Sequence, residues 1–107
     1  MKSVRTTRLQ AWSERFGVAL RDARKLRRLL HERVWQETKA SNGDPHPSTV
    51  WYGKDKNANA RAWEADLDRT RDQINDVCKR NNLTYDFGTG LWGSVQRDGR
   101  YIDNVPE

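Results

Sequence analysis

Apolar residues at Leu9, Trp12, Phe16, Ala19, Ala23, Leu26 and Leu30 recur at steps of three and four, the spacing of one buried face of an α-helix. Leu20, Leu29 and Val34 widen that face. Thr7, with Gln10 three residues on, has capping-box spacing, and Gly43 and Pro45 supply stop signals, so the pattern predicts a first helix over residues 8–40. Gly17 is its weak point and the place where it would break or kink, because glycine inside a helix costs about 1 kcal/mol relative to alanine. Residues 41–54, rich in Gly, Pro and Ser, read as a loop.

A second stripe, Ala60, Trp63, Leu67, Thr70, Ile74 and Val77, predicts a helix over residues 56–81, with Asp55 or Asn57 as N-cap and Asn81 with Asn82 as its exit. The period then falls to two. Leu83, Tyr85 and Phe87 alternate with polar residues, and Asp98-Gly99 is a favoured tight-turn dipeptide, so short strands are expected over 83–103. The fold predicted is mainly α: one small domain over 1–107, an antiparallel two-helix hairpin with a short C-terminal β-hairpin packed on it. The contacts would run through Trp92, Val95, Tyr101 and Ile102. Small Ala19 and Ala23 would receive Trp63 or Leu67 from the second helix.

Composition sharpens this picture in two ways. Hydrophobic residues make up only 35% of the 107, so a thin helical layer with five Trp residues as filler suits the chain better than a thick sandwich. The net charge of +5 is unevenly placed. Residues 1–33 carry ten Lys or Arg against Glu14, Asp22 and Glu32, whereas the remainder is slightly acidic. A localised positive field suits a nucleic acid or an acidic protein surface.

On the first helix Arg21, Arg24, Lys25 and Arg28 all fall opposite the apolar stripe. Arg21 with Lys25, and Arg24 with Arg28, are like-charge pairs four residues apart, each unfavourable by roughly a few tenths of a kcal/mol. Such a face adds nothing to a core and weakens its own helix, which makes it the leading candidate site. Lys2, Arg5 and Arg8 would extend it, while Arg27, nearer the seam, would reach Glu64. Trp35 lies one heptad beyond Arg28 on the same line. Exposed, it would stack on a base or a partner's ring. Cover by the loop or the C-terminal strands is the reading given slightly more weight.

Other motifs read as structure. Trp51 and Tyr52, followed by Lys54 and Lys56, are compatible with single-strand binding, but adjacent aromatics in a connecting loop more often pin it to the helices, and anchoring is the reading adopted. Residues 88–95, GTGLWGSV, spell a glycine-rich phosphate loop, but a turn at Asp98-Gly99 follows where a helix is required. His31 and His46 lack partners at zinc-ligand spacing, so no metal or other cofactor is expected. His31 is read as a surface residue and His46 as a loop residue. Asp68, Asp72 and Asp76 line one helix side among cations, a solvated face. Cys78, the single cysteine, reads as a buried apolar group. With no pairing of nucleophile and base, an enzyme is not expected. No segment approaches the ~20 apolar residues of a membrane span, and a cytoplasmic protein without membrane contact is expected.

The stretch from Phe16 to Leu30 resembles the first helix of repressor-type helix-turn-helix domains. No turn and recognition helix follow, so sequence-specific groove reading is not implied. The leading functional expectation is a nucleic-acid-binding protein of weak sequence preference. The alternative is a small phage-type inhibitor or adaptor docking its basic helix and Trp residues on an acidic host protein. Pairing of two hairpins into a homodimer stays open.

Overall fold

The computed structural model describes residues 7–48, 56–89 and 92–106, with Lys56 by its backbone alone. The described chain is mainly helical, with a small three-stranded antiparallel sheet. Its elements are α1 (Arg8–Phe16), α2 (Leu20–Asn42), α3 (Lys56–Arg80), β1 (Thr84–Asp86), β2 (Ser94–Arg97) and β3 (Arg100–Tyr101).

The first predicted helix is two helices, and the break falls at Gly17. Thr7 Oγ1 accepts the Gln10 amide at 3.0 Å and caps α1. At the other end Gly17 turns left-handed, with φ of 66°, and its N–H donates to the Ser13 carbonyl. The Val18 amide reaches the same oxygen at 2.9 Å, and the Ser13 hydroxyl donates to Val18 O. Ser13 is buried because it satisfies the backbone of the break. Ala19 becomes the extended N-cap of α2 and stands exposed, so it leaves the stripe to which its spacing assigned it, whereas Val18 is buried.

α2 and α3 run antiparallel in a definite register. Thr70 donates to Gln36 Oε1 at 2.9 Å near one end, while Arg80 and Asn81 reach Asp22 at 3.0 and 3.1 Å near the other. This register sets Ala23 opposite the C-terminal half of α3, so neither Trp63 nor Leu67 can pack on it. Trp63 instead meets Trp35, at 5.7 Å between ring centroids. Arg27 likewise lies far from Glu64, whose carboxylate pairs with Arg71 at 3.6 Å.

The strands form a meander in the order β1-β2-β3. Asp98 and Gly99 carry φ of 53° and 77°, the paired left-handed conformation of the two-residue hairpin turn their sequence predicts. Asn82 takes φ of 55° and ends α3 at its predicted exit. Tyr85 and Val95 are partners across β1 and β2 and point into the core. Tyr101 pairs with Gln96, one residue beyond Val95, so the alternation of the strand turns it outward. It is 60% exposed and does not seat the hairpin, a contact made by Val95 with Trp92 and Ile102.

Leu26, Leu29 and Leu30 of α2 meet Ile74, Val77 and Cys78 of α3, together with Val95 and Val105, in one core. Each fully buried aliphatic side chain there contributes about 1.5–3 kcal/mol. Residues 102–106 return across α1, where Trp12 Nε1 donates to Asp103 O at 2.8 Å and Arg15 pairs with the Asp103 carboxylate at 2.7 Å.

Two glycines separate strain from crowding. A Cβ at Gly17 would meet nothing within 4 Å, so Gly17→Ala should cost only the left-handed penalty, about 1–2 kcal/mol. At Gly93, with φ of 82°, a Cβ would stand 2.5 Å from Tyr85 Cε1 and 2.9 Å from the Asp86 carbonyl oxygen. Urea unfolding of both variants should therefore show Gly93→Ala the more destabilised.

Candidate functional site

α2 buries Ala23, Leu26, Leu29, Leu30 and Arg33 on one side, which fixes the rotation of the helix and presents the opposite side to water. Arg21, Arg24 and Arg28 are exposed on that side, and Lys25 is partly so. None of these four makes a hydrogen bond or ion pair among the described residues. The two acids of the same helix that could neutralise them are engaged elsewhere. Asp22 receives Arg80 and Asn81 of α3, and Glu32 accepts the Gln36 amide at 3.4 Å. The Asn81 hydrogen bond, with the Arg80 guanidinium beside it, holds the Asp22 carboxyl below its usual range.

Arg8 is exposed on α1 and lines a hollow with Trp12, Phe16, Asp103 and Pro106, so the break at Gly17 takes it off the axis of the α2 cations. Lys2 and Arg5 lie outside the described residues, as do Trp51, Tyr52, Lys54 and the side chain of Lys56. Trp35 departs from the expectation of cover by loop or strands. It is 53% exposed, with its ring at 75° to Trp63 and the Lys39 ammonium 5.9 Å from its centroid. The strands pack further back along α2, where Trp92 meets the ring of His31 at 5.0 Å, so they leave Trp35 open.

Tertiary contacts add cations that linear reading places elsewhere. Arg80 sits against Asp22, and Arg97 donates to the Asn81 carbonyl at 3.2 Å, satisfying the C-terminal end of α3. Lys79 and Arg97 line a polar hollow with Asn82, Thr84 and Asp98. The N-terminal end of α2, the C-terminal end of α3 and the hairpin turn thus gather positive charge at one end of the molecule.

Arg33 is a residue that sequence reading passes over. It is only 3% exposed, pairs with Glu37 at 3.0 Å, and donates to the Phe87 and Trp92 carbonyls at 3.3 and 3.4 Å. Its guanidinium also lies 4.9 Å from the centroid of the Phe87 ring. The signal was present, because 26, 30, 33 and 37 continue the buried spacing of α2. Arg33 thereby holds both ends of the loop whose glycines imitate a phosphate cradle. Phe87 and Gly88 turn the chain after β1, Thr89 bends it, and no helix follows Gly93.

The remaining polar groups knit loops to helices. His46 bonds Asp66 at 2.6 Å and Ser48 at 2.7 Å, and its ring stands edge-on to Trp63. Asn59 and Trp63 both donate to the Asp44 carbonyl, pinning the start of the same loop. Of the aspartates on α3, Asp68 pairs with Arg71 at 3.6 Å. Among the described residues no group of three or more His, Cys, Asp or Glu is placed to hold a metal ion, and no helix is long and apolar enough to cross a membrane. Cys78 is buried, and burial pushes its thiol up to about 12.

Two measurements follow from these contacts. Arg33→Ala leaves the Phe87 and Trp92 carbonyls without this donor and Glu37 with Arg71 at 3.5 Å, and should cost on the order of 1–3 kcal/mol in urea unfolding, with little rescue by Arg33→Lys because one ammonium cannot span the fork. The depressed Asp22 pKa adds stability above the ordinary carboxylate range that is lost as pH falls through the folded value. Stability below about pH 4 should therefore fall more steeply in the native protein than in Asp22→Asn. No family model matches the chain, and no curated protein or solved structure is similar to it, so the chemistry of this face is read from its own residues.

Proposed function

We propose that this chain is a non-enzymatic nucleic-acid-binding protein that lays the Arg21, Arg24, Lys25 and Arg28 face of α2 along a phosphate backbone. The observation that carries the reading is that none of these four cations makes a hydrogen bond or ion pair among the described residues, Arg21 acting on Asp22 only through its field. Asp22 and Glu32 turn to other partners, and the like-charge repulsion along the helix is left standing. A polyanion would relieve that repulsion and release its own counterions. Contacts of this kind position a backbone without reading bases, hence the weak sequence preference.

A second reading, a small inhibitor or adaptor for an acidic protein surface, draws on the exposure of Trp35, since exposed indoles serve as interface anchors. Salt separates the two. If four duplex phosphates are contacted, affinity should fall about a hundredfold between roughly 50 and 200 mM salt. Arg24→Glu with Arg28→Glu should lower it at least tenfold and roughly halve the salt slope, with the urea midpoint unchanged. Absence of salt-dependent retention on any nucleic acid would overturn the first reading and direct the search to a protein partner.

A further inference from the structure

We infer that the ligand of this face is a single-stranded rather than a duplex nucleic acid, and that Trp35 is its stacking platform. The inference rests on the nucleic-acid reading above and narrows it. Seven residues separate Arg21 from Arg28 and Arg28 from Trp35, so at 3.6 residues per turn the three share one line along α2, about 21 Å from end to end. Trp35 carries an open ring at the end of that line.

The indole is held ready for a ligand. Its neighbour Trp63 is buried and fixed by the hydrogen bond from Nε1 to Asp44 O at 2.7 Å, and the two rings meet edge to face. A platform positioned in this way loses little conformational freedom on binding. Lys39, one turn further on, stands 5.9 Å from the ring centroid while pairing with Asp44 at 3.3 Å. It supplies positive charge beside the ring, where the phosphate of a stacked nucleotide would lie.

Glu32 fixes how a strand must run. It is exposed on the same face, in the turn between Arg28 and Trp35, and it repels a phosphate there. A duplex offers this line only an unbroken rail of phosphates, with its base faces sealed in the stack. A single strand can ride on Arg21, Arg24 and Arg28, carry its backbone past Glu32, and turn a base onto Trp35. Every base has a face that stacks on an aromatic ring, so this contact adds affinity without sequence preference. Nothing on the face singles out the ribose 2′-hydroxyl, so the strand's chemistry is shared by DNA and RNA.

The test measures fluorescence anisotropy of full-length protein with labelled oligo(dT), oligo(U) and a blunt DNA duplex of equal length, at two salt concentrations. Native protein should prefer both single strands to the duplex. Trp35→Ala should weaken single-strand binding about five- to hundredfold, spare the duplex, and leave the salt slope unchanged. Trp35→Phe should retain most of the affinity, and Glu32→Gln should raise it severalfold with the fold intact. A preference for oligo(U) or for oligo(dT) alone would name the source of the strand and still support the inference. Equal or tighter duplex binding, or loss on Trp35→Ala that is the same for strand and duplex, would overturn it. In either case, salt-dependent and Arg24/Arg28-sensitive binding would leave the broader reading standing. No salt-dependent binding of any of the three ligands would remove both.

Discussion

Burial of one face of α2 is the constraint on which the rest depends. Leu26, Leu29 and Leu30 sit at the centre of the core, covered by Ile74, Val77 and Cys78 of α3 and by Val95 of the sheet. A helix so committed has no rotational freedom left. The side opposite the leucines must face water, and Arg21, Arg24, Arg28 and Trp35 occupy it. Core burial contributes kcal/mol per side chain, whereas the like-charge pairs cost tenths, so the fold tolerates the cationic face easily.

Charge is distributed with the same economy. Three carboxylates on α3 pair within the fold: Glu64 and Asp68 with Arg71, and Asp66 with His46 and Arg69. Asp22, the acid nearest the α2 cations in sequence, is drawn across to Arg80 and Asn81. Arg97 meanwhile answers the carbonyl end of α3, where a cation is favoured. Positive charge therefore collects where α2 begins, α3 ends and the hairpin turns.

Local chemistry made much of this legible. Thr7 caps α1, Asn82 closes α3, and Asp98-Gly99 makes the hairpin turn, each through preferences confined to a few residues. The helical stripes were visible as period and face. Gly17 was legible as the place of a break or kink but not as which of the two, because the outcome depends on Ser13 and Val18 finding mutual hydrogen bonds inside the core. Strand composition alone places Tyr101 among the residues that seat the hairpin. Its true direction follows from a register that pairs it with Gln96, and register belongs to two strands rather than to one.

Sequence by itself determined which segments are helix and strand, and which side of α2 repels the core, since both depend on side-chain spacing within a single element. Only the tertiary structure decided who partners whom. Antiparallel register took Arg27 away from Glu64 and brought Asp22 to Arg80, and the path of the strands left Trp35 uncovered. Burial of Arg33 needed the Phe87 and Trp92 carbonyls, more than fifty residues away in the chain, to converge on one guanidinium. Contacts of that range are set by how elements dock, and no periodicity within one element encodes them.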